Sequence, residues 1–412
     1  MKNEQRCEKI FLVAFSFYIE NTVFVKKCLR GKYMKIFSVC IVGLMTVFAL
    51  IGIVDLLFNK CRWGLGDEFK RGIEMIGPLV LSMGGIISFV PLLSWLIQHS
   101  ISILYSNLGL DSSMAVTTIL AIDMGGYQLA MSVASNEQIG NWAGIVYGSM
   151  MGATIVFTIP VGVGIVRKED LSFFAKGILF GIIAIPFGTF VGGLMIGIPI
   201  LTVLLNLIPP VIFSAIIALC LIFFPNGTIK VFKVFANIIN ILGIIQLGIA
   251  MVKDLVLVPL SDAGYFDITQ VPFFNMIDST ANGIQCAGSI GLVLAGALPF
   301  IACLKKLLSK SIKKVSTKGD FSEAGITGYL LTTANNVAMF STLKDMKDRE
   351  KIINVAFAVC GAFVIGDHLA FTAANAPDYI APMMVSKIVS GAIAILLALG
   401  FTKQKNITTL HH

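Results

Sequence analysis

The 412-residue chain is 56% hydrophobic and only 13% charged, with a mean hydropathy of +0.88, values that exclude a soluble globular protein and leave a polytopic membrane protein. Its formal net charge of +8 does not point to nucleic acid, because the basic residues fall in short connections and not on one face with interleaved aromatics. Eight cysteines stand singly, with no CxxC pair for a metal or a redox disulfide, so neither cofactor nor metal is expected.

In chain order, residues 1–33 read as an N-terminal extension. Phe11 to Val25 is apolar but interrupted by Glu20 and Asn21, and Met34 directly precedes the first convincing helix, so translation is expected to start there; a short amphipathic segment is the alternative. Apolar runs of about 20 residues, the length that crosses the hydrocarbon core, follow at 36–58, 75–97, 143–166, 171–195, 209–224, 231–257, 284–304, 352–374 and 379–402. Two further runs, 112–134 and 324–343, are shorter or more polar. Residues 403–412 form a basic tail.

Lysine and arginine counts orient the chain. Lys305, Lys306, Lys310, Lys313, Lys314 and Lys318 place the connection after 284–304 in the cytoplasm, and with it Arg167, Lys168, Lys230, Lys233, Lys403 and Lys405. Connections near 196–208, 258–283 and 375–380 contain no Lys or Arg and fall outside. The scheme closes only if the two weak runs do not cross: Lys60, Arg62, Lys70 and Arg71 then share a side with Arg167 and Lys168, and Lys344, Lys347, Arg349 and Lys351 share one with the six-lysine segment. The runs 112–134 and 324–343 are therefore expected to be re-entrant, the first from outside and the second from inside.

A weak internal repeat accompanies this pattern. YQLAM (127–131) precedes NNVAM (335–339) by 208 residues, and GATIV (152–156) precedes GAFVI (361–365) by 209. Together they align units at about 75–195 and 284–402, and five crossings separate corresponding helices, so the second unit is inverted. The fold expected is all-α: a single transmembrane transporter domain over 34–402, with about nine transmembrane helices and two re-entrant or broken elements in an inverted repeat.

Candidate site residues lie where polarity interrupts these runs. In AIDMGG (121–126), Gly125 and Gly126 supply unwinding beside Asp123, and unwound backbone at membrane depth is tolerated only in protein or against a wet cavity. An ionised Asp123 near the bilayer centre costs about 2.5–3.5 kcal/mol on insertion scales and needs a partner. A cation supplies one; neighbouring backbone amides are the competing reading. The second unit matches with Thr332, Thr333, Asn335 and Asn336 on the weak run, then Asp367 and His368 in the next helix, with Thr372 and Asn375 on the face of His368. A small hydrophilic cation suits this set; a buried Asp and His each paired elsewhere is the alternative. Gln128 completes the candidate binding set. Asp55, Glu74, Thr154 and Thr158 read as helix glue, and Gly148/Gly152, Gly177/Gly181, Gly188/Gly192 and Gly193/Gly197 as close helix contacts. Tyr127, Trp142, Phe157 and Phe371 are candidates for an ammonium cage. No Walker loop, HExxH or GxSxG is present, which leaves no nucleotide hydrolysis and no assembled base and nucleophile; an enzyme is not expected.

GLGDEFKRGIEMIGPLVLSMG (64–84), AIDMGGYQLA (121–130), GSMMGATIVFTIPVGVGI (148–165) and FAVCGAFVIGDHLAFTAA (357–374) carry a specific resemblance. They resemble the signature segments of the ethanolamine permease family, the ethanolamine-utilization membrane protein EutH. The resemblance runs from Met34 to about Phe401 and leaves the first 33 residues outside it. It implies uptake of ethanolamine through the cytoplasmic membrane of a bacterium that degrades it by an ammonia-lyase, often inside a microcompartment. It assigns no contact residues, so Asp123, Asp367 and His368 rest on the reading above. The implied partners are ethanolamine and the lipid bilayer, and a homo-oligomer is compatible with both. The mechanism expected is a potential-driven uniporter working by alternating access. Proton or sodium symport and a non-transporting scaffold for ethanolamine-degrading enzymes are the rivals.

Overall fold

The computed structural model describes residues 32–316 and 321–402, so the expectations for the N-terminal extension and the basic tail lie outside the described residues, apart from the first helix's opening turn. Among the described residues all regular structure is helical. In chain order the helices are α1 (Tyr33–Phe58), α2 (Leu65–Ser88), α3 (Val90–Gln98), α4 (Ile101–Asn107), α5 (Ser113–Ile119), α6 (Tyr127–Val133), α7 (Glu137–Ile165) and α8 (Leu171–Ile196). There follow α9 (Ile200–Phe223), α10 (Pro225–Asp262), α11 (Thr280–Ser316), α12 (Glu323–Ala334), α13 (Asn336–Thr342), α14 (Asp348–Gly361), α15 (Asp367–Asn375) and α16 (Ile380–Phe401). Seven helices are long and apolar enough to cross a membrane, and the bent pair α2–α3 makes eight. The bend of 48° falls at Phe89, where Pro91 has no N–H to offer the preceding turn.

The ninth expected span, 352–374, is not one helix. Residues 362–366 interrupt it between α14 and α15, with Phe363 at a φ of 59°. Apolar composition there conceals a backbone break, because a hydropathy count takes no account of φ and ψ. The freed amides are satisfied from α12: Phe363 N donates to Thr332 O at 3.1 Å and Ile365 N to Thr333 O at 2.9 Å. A Cβ on Gly366 would stand 2.2 Å from Ala334 O, so only glycine permits this approach.

Both weak runs are helix–break–helix elements, and the ends of each meet. At the first, Asp111 accepts from Ser113 N at 2.9 Å and Ser135 N at 2.8 Å, while Ser112 Oγ donates to Val133 O at 3.3 Å. At the second, Glu350 accepts from Ser322 N at 2.6 Å and Lys347 N at 3.0 Å. A run whose two ends share one carboxylate enters and leaves on the same face.

Two apolar cores hold these pieces. One joins α7, α8, α14 and α16; the other joins α2, α11, α15 and the start of α16. The breaks lie between them: Ala121 packs in the first core and Ile122 in the second, and Cys360 and Val364 divide the same way. Helix α7 is central, with 67% of its most apolar window buried, against 17% for α1 and α10, whose exposed Val39, Leu50, Val231 and Ile241 suit lipid.

Small residues set the helix spacing. A Cβ on Gly177 or Gly181 would lie 2.5 Å or less from Val355 or Val359, and one on Gly188 2.1 Å from Ser386 O, drawing α8 against α14 and α16. Gly197, with φ 92°, ends α8. Asp55 is not glue between helices but a clamp on the turn from α1 to α2. Its carboxylate accepts from Trp63 N, Leu65 N, Gly66 N and Asn59 Nδ2.

Candidate functional site

The first break lies between α5 and α6. Gly125 adopts φ 77°, and a Cβ there would lie 2.4 Å from Ile86 Cγ2; one on Gly126 would lie 2.5 Å from Ala121 O. Both expected unwinding glycines thus serve a positive φ or a close approach. The chain reverses tightly at this point, with Met124 N and Gly126 N both donating to Ala121 O at 3.1 Å. The break packs on α7 where α7 is itself distorted near 148–150, and a Cβ on Gly152 would lie 2.1 Å from Leu120 O.

Residues 122–126 also pack against α15, and the rings of Tyr127 and Phe371 meet edge to face at 5.6 Å. Asp123 and Asp367 therefore come together from sequence positions 244 apart. Both are half-buried and close enough to act electrostatically on one another. Neither carboxylate accepts a hydrogen bond from another residue among the described ones, and neither has an ion-pair partner within 4.0 Å there. The contrast with the carboxylates that hold structure is plain. Asp55, Asp111, Asp254 and Glu350 each collect at least three donors. Backbone amides of neighbouring residues, the competing explanation for Asp123, do not cap it.

The second break contributes unevenly. Asn335 is a helix cap, its Oδ1 accepting from Val337 N at 2.7 Å, and not a free ligand. Asn336 is fully buried, donates from Nδ2 to Thr158 Oγ1 at 3.0 Å, and leaves Oδ1 without a partner; Thr332 Oγ1 is buried and unpartnered too. Thr372 spends its hydroxyl hydrogen on His368 O within its own helix, at 2.7 Å. Gln128 lies apart from the carboxylates. It lines a separate polar cavity of about 350 Å³ with Asp278, Asn282, Gln285, Ser289 and Asn375, where its Oε1 is unpartnered. Of the four aromatic candidates, Tyr127 and Phe371 lie between the breaks. Trp142 is buried in the core and donates to Thr189 O at 2.7 Å, and Phe157 pairs with Phe363.

The residue that sequence reasoning missed is Lys387. It is fully buried on α16; its Nζ donates to Ser149 O at 2.7 Å, where α7 is unwound, and lies 3.1 Å from His368 Nδ1. Asp123 lies within electrostatic range of it. The available signal was a single lysine inside the apolar run 379–402. Among the described residues no group of three His, Cys, Asp or Glu side chains is placed to hold a metal ion. The arrangement can hold a small cation between carboxylates and offer a hydroxyl both donors and acceptors.

The chain also resembles known proteins. The sequence profile of the family described as "Ethanolamine utilisation protein, EutH" matches residues 37–401. "Probable ethanolamine permease EutH" of Listeria monocytogenes is 41% identical over 359 residues, covering 87% of this chain and 92% of that protein. The protein of the same name from Escherichia coli is 35% identical over 398 residues, covering 89% and 96%. "Uncharacterized protein YxeR" of Bacillus subtilis is 37% identical over 377 residues, covering 90% and 98%. No solved structure matches. With its profile matched almost from the first described helix to the last, this integral membrane protein belongs to the EutH family of ethanolamine-utilisation proteins.

Proposed function

We propose that the chain imports ethanolamine as its protonated amine across the bacterial cytoplasmic membrane, as a permease and not an enzyme. The observation that carries this reading is the pair Asp123 and Asp367, two carboxylates at helix breaks that no other residue caps among the described ones. An ammonium group offers three N–H donors to such a pair. The relatives named as ethanolamine permeases support the substrate.

Neutral ethanolamine crosses lipid unaided, so a protein matters most when acid keeps the amine charged. A uniporter then draws on the membrane potential, worth about 2.3 kcal/mol per charge per 100 mV, or roughly 50-fold accumulation. Alternating access follows if the units around 75–195 and 284–402 are inverted copies that rock about the crossing of their breaks. Labelled ethanolamine uptake into proteoliposomes at mildly acidic pH, with an imposed inside-negative potential and no sodium, tests the reading. Potential-dependent accumulation is expected. A requirement for a sodium or proton gradient makes the protein a symporter, and no uptake by folded protein removes the transport reading in favour of a scaffold.

The same proposal places the C-terminus and the Lys305–Lys318 segment in the cytoplasm. In a cysteine-free background, cysteines at the exposed Asn107 and Asn136 are expected to react with an impermeant maleimide from outside, and one at Lys344 only from inside. Labelling of Asn107 and Asn136 from opposite sides overturns the re-entrant assignment of 112–134.

A further inference from the structure

Lys387 has no part in the transport reading so far, yet it is a fully buried lysine that touches the one histidine beside Asp367. Resting on that reading, we infer that Lys387 sets the tautomer of His368 so that its Nε2–H is presented to the substrate hydroxyl, making Lys387 the positioning residue for selection of an amino alcohol over a plain amine.

The geometry carries the step. A lysine ammonium has three N–H donors and no lone pair. Nζ lies 3.1 Å from His368 Nδ1 and 2.7 Å from Ser149 O; as the ammonium it donates to both, so that Nδ1 accepts and the hydrogen of the ring sits on Nε2. His368 is 1% exposed, and among the described residues no group meets Nε2. Phe363 lies against the ring, 4.9 Å between centroids. The hydroxyl oxygen accepts from Nε2–H. The ammonium, which can only donate, is turned toward Asp123 and Asp367. As the neutral amine Lys387 could either donate to Nδ1 or accept from it, so Nε2 would no longer be fixed as a donor and the preference for a hydroxyl would weaken.

The test compares labelled ethanolamine with n-propylamine, the same shape with a methyl in place of the hydroxyl, in proteoliposomes of wild type, Lys387→Met and Lys387→Arg. Wild type is expected to prefer ethanolamine at least about tenfold in uptake efficiency. Lys387→Met is expected to bring the ratio within about threefold of unity, and Lys387→Arg, which keeps a charged donor, to restore part of it. A ratio unchanged in Lys387→Met, with both rates lowered equally, overturns the inference while leaving transport standing; failure of wild type to carry ethanolamine removes transport itself. Should the methionine variant not fold, the ¹⁵N spectrum of the wild-type histidine ring, assigned by difference from His368→Gln, decides alone. An Nε2–H ring supports the inference and an Nδ1–H ring overturns it.

Discussion

Asp123→Asn is expected to abolish potential-dependent ethanolamine uptake while leaving the protein folded. The substitution keeps the shape of the side chain and removes its charge, at a carboxylate that no other described residue caps. Removing one member of a buried charge pair costs about 2–5 kcal/mol, so transport efficiency should fall by about 30-fold to about 5,000-fold. Asp367→Asn should act in the same direction through the second break. Thermal midpoints in detergent within a few degrees of wild type would show that the loss belongs to the substrate path. Full uptake by Asp123→Asn would remove the first carboxylate from that path and leave the ammonium without its main counter-charge.

Gly152→Ala should disable the protein through its backbone. The new Cβ would lie 2.1 Å from Leu120 O and 2.5 Å from Leu120 C, atoms of the first break that no rotamer change can move aside. Overpacking of this kind costs about 1–3 kcal/mol, and here it would also push residues 120–126 away from α7 and shift Asp123. A lower thermal midpoint together with lost uptake is expected. Gly164→Ala in the same helix is the control, because a Cβ there meets nothing within 4 Å. Alanine favours helix by up to about 1 kcal/mol over glycine, so the control should be neutral or slightly stabilised. Equal behaviour of the two variants would show that the close approach of α7 to the first break is not needed.

How far the site was legible follows from particular residues. Asp123 with Gly125 and Gly126 stood out because a carboxylate and two helix breakers in an apolar run have few explanations. Asp367 and His368 stood out for the same reason. Lys387 did not: lysines served as markers of cytoplasmic connections, and one lysine in a long apolar run barely changes its hydropathy. Thr372 and Asn335 were chosen for their oxygens, but i−4 carbonyls and helix caps compete for those oxygens locally, and here they win. Gln128, five residues beyond Asp123, lines a cavity of which neither carboxylate is part, and the break lies between the two residues.

By itself the amino-acid order determined that this chain lives in a membrane and that glycines draw its helices together. Length, hydropathy and charge balance are sums over local residues, and the bilayer acts on those sums directly. Only the tertiary structure decided that the run at 352–374 breaks at Phe363, that Asp111 and Glu350 tie the ends of the two re-entrant runs, and that Lys387 reaches His368 and Ser149. Each of these is a meeting of groups far apart in sequence, made favourable by hydrogen bonds and close packing that exist only once both partners are in place.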